Sequence, residues 1–437
     1  MTETGRSSLW SNGAFVRFWS AATVSIFGSL ITRMALPFVA ILVLDAGPIE
    51  VAVLRGMDVA AALVFGLVAG AWVDRLRRRP VLIWADIGRA VLLVSIPAAF
   101  VAGWLSFAQL LFVAGLVAVL STFFDAADNA YLPTIVDRDR IVGANGALAA
   151  SGSAAELTGF GISGILVQVL TAPIAILVDS ITFLVSAVLL ATIRMPEPAP
   201  PPPRAREPMM AEIRDGLSRV TGDPILRPFV VAQMAQEAAW GFGGAAFLLF
   251  AVDELGLGPA AIGIIAGVGG GASFVGAVLS TRATRRFGVG PTAIGAMALA
   301  AVGAAFVPLA PAAAPIVAVA FLVAQQLVAD SALTVFEVTE TSVRQTLVAD
   351  RELGRVTATV RFAAGSAQLF TTILGGLLAA AIGLRPVLLL VPLVMLVGAV
   401  ALHRSPVRTL TELPKPITPP DPATVVVEVG RGEPIGG

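Results

Sequence analysis

Among its 437 residues the chain has no cysteine, one histidine and one lysine, Lys415. Without cysteine there are no disulfides, no thiolate metal sites and no thiol catalysis. The lone His403 closes the last apolar run, which argues against an imidazole metal cluster, so no metal site is expected. Charge is also scarce. Charged residues make up 13%, where soluble domains carry about 25%. Net charge is zero, so there is no general basic surface for nucleic acid. No Gly-x-x-x-x-Gly-Lys-Ser/Thr loop is present, which excludes an ATP-driven pump with its own nucleotide domain. Apolar residues are abundant, at 57% with mean hydropathy +0.88. The chain is therefore an all-α integral membrane protein, because its apolar runs are long enough for helices and too long for barrel strands.

Hydropathy with Gly, Pro and charge punctuation gives twelve spans, at about 16–44, 51–73, 81–103, 106–132, 142–169, 172–194, 228–252, 259–281, 291–311, 314–340, 353–382 and 385–403. They form two six-helix halves, 16–194 and 228–403, after a short N-terminus, 1–15. Between the halves, 195–227 holds the run Pro200–Pro203, an extended spacer. A segment with Met210, Ile213, Leu217 and Val220 on one face follows, and it is expected to lie on the membrane surface. The polar, Pro-rich tail, 404–437, is expected to be disordered. Arginines at 75–79, 138 and 140, 204–227, 282–286, 351 and 355 fall in alternate loops. The positive-inside rule makes those loops and both termini cytoplasmic, with Arg385 the main exception.

The halves repeat. Phe124-Asp-Ala-Ala-Asp128 matches Phe336-Glu-Val-Thr-Glu340 at an offset of 212, which also places Ile141 on Leu353 and Gly164 on Gly376. At an offset of 206, Gly70 answers to Gly276, and Asp74 is replaced by Ser280. A parallel repeat related by an axis along the membrane normal explains both matches.

A charge at mid-bilayer costs about 2.5–3.5 kcal/mol on insertion scales, so each one needs a reason. Asp86 and Arg89 can pair on one helix face. Asp125 or Asp128 can accept hydrogen bonds from Arg75, Arg78 or Arg79 and so latch a gate. Glu337 and Glu340 hold the equivalent places, with Arg282, Arg285 and Arg286 as partners by analogy. Arg33 and Asp58 are read as neutralising each other across the bundle. Asp179, at the start of the sixth span, is read as a helix-end or packing residue, and Arg361 as a receiver of an anionic group or a partner of Asp330. Glu156 and Glu237 lie deeper and are the best candidates for carrying a proton or recognising a cation, with Arg33, Asp58, Glu337, Glu340 and Arg361 as further proton-coupling or substrate candidates. In Trp240-Gly241-Phe242-Gly243-Gly244, aromatics beside glycines would line a pocket over which the helix bends.

The basic loop Gly70-x-x-x-Asp74-Arg75-x-x-Arg78-Arg79 between the second and third spans resembles the signature loop of the major facilitator superfamily, with Arg77 where that motif usually has Gly. Further matches are Asn12-x-x-Phe15-x-Arg17-Phe18-Trp19, Ser25-x-x-Gly28, Ala35-Leu36-Pro37, Phe123-Phe124-Asp125 through Leu132-Pro133, and Ile141-x-x-Ala144-Asn145. Together these resemble the drug:proton antiporter-3 branch, which includes macrolide efflux proteins and the enterobactin exporter. Ser29, where members often carry Asp, departs from its pattern, as do Phe160 and Ser163 in the fifth span. The resemblance implies a twelve-helix major facilitator fold in the cell inner membrane and no cofactor. It also implies a gate relay from Asp74 and its arginines to the fourth helix.

The function implied is export of an amphipathic small molecule (a drug, an antibiotic or a siderophore) by a monomer exchanging it for protons. Import by proton symport and a receptor that moves nothing are the alternatives. Gly161-Ile-Ser163-Gly164 is similar to an intramembrane serine-protease motif, but His403, the one imidazole base, lies at the far end of the chain. An enzyme is not expected.

Overall fold

The computed structural model describes residues 9–73, 75–197 and 209–414. The described residues form helices and turns, with no strand. The first half contains α1 (Gly13–Leu44), α2 (Pro48–Val73), α3 (Arg78–Val101), α4 (Phe107–Ile135), α5 (Ile141–Leu170) and α6 (Ala172–Ala191). A short amphipathic helix follows, α7 (Met209–Gly222). The second half contains α8 (Leu226–Leu249), α9 (Pro259–Phe287), α10 (Val289–Ala304), α11 (Phe306–Leu309), α12 (Pro315–Gln325), α13 (Ser331–Leu347), α14 (Asp350–Ile382) and α15 (Leu384–His403). A π-helical turn, Phe250–Glu254, extends α8, and another, Gln326–Asp330, joins α12 to α13 in one membrane helix. By length and composition eleven helices among the described residues can cross a membrane. The twelfth, α2, carries Glu50, Arg55 and Asp58 and packs against α4 and α14.

Local signals set the helix ends. The Asn12 side chain accepts from the N–H groups of Ala14 and Phe15 at 3.0 and 3.2 Å and donates to the Ile135 carbonyl at 2.8 Å. One residue thus caps α1 and ties it to the end of α4. Proline stands at the start of α9 and of α12, where its missing N–H costs nothing. Gly288 and Gly383 hold φ near +90° between α9 and α10 and between α14 and α15, a conformation open to glycine.

Two cores belong to one half each. One gathers Phe15, Phe18 and Tyr131, and the other Phe229, Phe336 and Leu402, both near the chain termini. A third, at the opposite end, contains residues of both halves, among them Phe38, Val51, Phe250 and Ile262. Glycines make the contact there. A Cβ on Gly164 would lie 2.4 Å from the Pro259 carbonyl oxygen, and one on Gly376 would lie 2.9 Å from that of Pro48. Each repeat-related glycine therefore meets the first carbonyl of a helix in the other half. The halves share a core at one end and keep separate cores at the end that carries the termini.

Two expectations change. Rather than lying free on a surface, α7 docks on α14, with Val220 buried and Gly216 so close that a Cβ would sit 2.1 Å from Thr359 Oγ1. Leu217 is exposed, and the side chains of Met210 and Ile213, like the run Pro200–Pro203, lie outside the described residues. The tail does not lose order at 404. Pro406–Thr409 form a 3-10 turn, and the chain stays packed on α10 through Thr411. Lys415 and all that follows lie outside the described residues.

Gly164→Ala is expected to destabilise the fold by about 1–3 kcal/mol, the usual cost of overpacking. Gly161→Ala, where a Cβ meets nothing within 4 Å, should leave stability unchanged or slightly raised. Thermal unfolding of the two purified variants in detergent tests the difference, and equal midpoints would refute the contact's importance.

Candidate transport pathway

At the termini-bearing end, the turn between α2 and α3 carries the basic motif. Asp74 lies outside the described residues, Gly70 faces open space, and Arg75 is exposed. No side chain of its own caps α3. Glu197, beyond the end of α6, supplies the cap: its carboxylate accepts from the N–H groups of Arg78 at 2.6 Å and Arg79 at 3.3 Å. The Arg78 guanidinium lies 3.7 Å from the same carboxylate. Arg79 donates from Nε to the Leu190 carbonyl at 3.0 Å and from Nη2 to the Ala191 carbonyl, satisfying the last turn of α6. The expected partner was Asp125 or Asp128 on α4, and the structure corrects this. Asp125 is exposed within electrostatic reach of Arg33 and Arg89, and Asp128 feels the like charges of Asp125 and Asp86 and the opposite charge of Arg89.

The second half repeats the device with different atoms. The Val289 and Gly290 N–H groups that open α10 donate to the Thr411 and Leu410 carbonyls at 3.3 and 2.8 Å. A Cβ on Gly290 would stand 1.7 Å from the Val407 oxygen, so the strap requires glycine there. In each half, the chain leaving the sixth span turns back and caps the third.

Behind the turn, four helices enclose a buried polar cluster. Asp86 and Arg89 of α3 pair as expected. The Arg89 guanidinium sits between the rings of Phe124 and Phe183, 4.2 and 4.1 Å from their centroids, a cation–π stack that replaces water. Asp179 lies mid-helix in α6 and is fully buried, accepting from Thr32 of α1 and, at 2.9 Å, from Thr182.

Between the halves the remaining charges gather. Asp58 is in electrostatic reach of Arg33 and also of Arg55, which sequence reasoning missed and whose Nη2 donates across to the Gly244 carbonyl at 3.5 Å. Opposite, Gln236 Nε2 donates to Glu337 Oε1 at 2.6 Å. Glu337 interacts electrostatically with Glu156 of α5, Glu237 of α8 and Asp330 at the α12–α13 junction. Glu156 and Glu337 are exposed and Glu237 is half-buried, as suits the wall of an open passage.

Other expectations fail. Glu340 pairs with Arg344 of its own helix at 3.3 Å, not with Arg282, Arg285 or Arg286. Arg361 is exposed and makes no ion pair with Asp330. Trp240 is 48% exposed, one turn from Glu237, but Phe242 is buried against Gly375 of α14. The Trp240–Gly244 stretch is continuous helix, and the ladder changes only at Phe250. A separate apolar cavity of about 580 Å³, lined by Leu157, Gly161, Gly267, Leu327 and Ser331 among others, holds no charged residue.

The sequence profile of the Major Facilitator Superfamily matches residues 18–336. No curated protein matches the chain in sequence. Among solved structures, a bacterial homologue of the iron transporter ferroportin in its inward-facing state is 17% identical, covering 91% of this chain and 99% of its own, with TM-score 0.73. The same homologue in an outward-facing state, again 17% identical and covering 90% and 98%, scores 0.58. The nucleoside transporter NupG is 12% identical, with coverage of 89% and 98% and TM-score 0.70.

Glu197→Ala should cost about 0.5–2 kcal/mol, as loss of a helix cap does. Amide hydrogen exchange is expected to speed up over the first turn of α3 and stay unchanged at the start of α10. Unaltered exchange at Arg78–Leu82 would show that the carboxylate caps nothing in solution.

Proposed function

Because the chain belongs to the Major Facilitator Superfamily, we propose that it is a secondary transporter exporting an amphipathic small molecule (a drug, antibiotic or siderophore) in exchange for protons. Glu156, Glu237 and Glu337, exposed or half-buried carboxylates from both halves within electrostatic reach of one another, carry this reading. Carboxylates in such a place can bind a proton or a cationic substrate group in turn, which is the exchange an antiporter needs. Trp240 and the apolar stretches beside them supply the nonpolar contact an amphipathic molecule requires.

The arginine-rich turns lie at the termini-bearing end, and the positive-inside rule supports a cytoplasmic side for that end, as export across a plasma membrane requires. That end then faces inward, the side from which an exporter loads. A membrane potential of 100 mV supplies ~2.3 kcal/mol per proton, and a pH step of one unit adds ~1.4 kcal/mol. Together they sustain a several-hundredfold gradient of a neutral solute per proton.

The test is proton movement in inside-out vesicles challenged with macrolides, cationic dyes and siderophores in turn. Substrate-dependent proton release from the lumen is expected, at least tenfold slower in Glu237→Gln and in Glu337→Gln. Uptake of a compound with the pH gradient untouched would overturn proton exchange. Proton and compound moving the same way would replace export with symport.

A further inference from the structure

The π-helical turn Gln326–Asp330 is wedged between α9 and α10. A π-turn inserts an extra residue into a helical ladder, and such turns are frequent at functional sites. Here it brings two polar side chains onto one glycine. A Cβ on Gly269 of α9 would stand 2.2 Å from Gln326 Nε2 and 2.3 Å from Asp330 Oδ2. Only a residue without a side chain leaves room for both, so the carboxamide and the carboxylate share a niche cut into α9. Among the described residues the Asp330 carboxylate accepts no hydrogen bond and joins no ion pair; its helix neighbour Thr334 bonds only to its backbone carbonyl.

The surroundings offer no countercharge. The arginines of α9 are Arg282, Arg285 and Arg286, in its last turns, well below the niche, and neither α10 nor α12 has a charged residue. On α13 the charged residues are Glu337, Glu340 and Arg344, the last two paired with each other. Glu337 is the charge that Asp330 feels, and it stands two regular turns away, about 10 Å along the axis. A lone carboxylate and a carboxamide make a poor metal site, and no metal-holding cluster occurs among the described residues. The smallest cation, a proton, fits.

We propose that Asp330, presented by the π-turn in the Gly269 niche, is a proton-binding site that exchanges its proton with Glu337 at the edge of the passage. The proton moves as H⁺ between the two carboxylates along water that bridges the distance, and no other bond changes. Gln326 shares the niche with the carboxyl group, its Nε2 and the Asp330 Oδ2 both lying against Gly269. The coupling role rests on the antiport reading, but the site does not.

Infrared difference spectroscopy of the purified full chain in lipid bilayers tests it, with proton as the only ligand and pH as the only variable. The wild type is expected to show a protonated-carboxyl C=O band that fades as the pH rises, absent in Asp330→Asn and retained at a shifted frequency in Asp330→Glu. Glu337→Gln should move the pH at which the band fades, a change that a merely structural Asp330 would not produce. Gly269→Ala, which fills the niche, should shift the band, and it serves as a second variant if Asp330→Asn does not fold. A titrating band that is identical in Asp330→Asn overturns the site. Because no substrate is added, the outcomes separate. An Asp330 band without substrate-driven proton movement keeps the site and loses antiport. Wild-type antiport in Asp330→Asn with unchanged bands does the reverse.

Discussion

The architecture depends on how closely two backbones can approach where there is no water to drive them together. Apolar side chains gain little by leaving lipid for protein, so association within a bilayer relies on contact and small residues. Gly164 against Pro259 and Gly376 against Pro48 provide that contact at one end. The same pseudo-symmetric relation that duplicated the helices duplicated the joint. Residues 212 apart, matched from sequence alone, perform the same act on opposite sides of the molecule. At the other end each half keeps its own core, so each can move as a body.

Symmetry is kept in function more faithfully than in chemistry. A carboxylate from Glu197 caps α3, whereas carbonyls of Leu410 and Thr411 cap α10. Both solve the same problem, a helix whose first N–H groups would otherwise meet the membrane boundary unpaired. The first solution brings charge and meets two arginines; the second brings none and demands glycine at 290.

Hydropathy made the helices legible, because a bilayer imposes one length and one composition on every span. Charge in alternate loops and the repeat gave the arrangement of the halves. The partnerships were harder to read. Glu197 sits in an ordinary Pro-Glu-Pro exit, and nothing local says that it reaches a helix 119 positions away. Asp86 and Arg89 were readable because three residues on a helix are neighbours. Their enclosure by Phe124 and Phe183 depends on tertiary packing. Phe242 was misjudged for the same reason: a glycine-rich stretch signals close packing as readily as bending, and here it packs on α14. The π-turns leave no mark in composition, and the niche at Gly269 becomes visible only once α9 and the α12–α13 junction are side by side.

The clasp at Glu197 also fixes a point of exit. The first half is held up to residue 197, and the second begins with α7, fixed to α14 through Gly216 and Val220. The eleven residues 198–208 join those anchors in sequence. Where the connection leaves one half and where it enters the other are therefore set by packing within each half, and not by the connection itself.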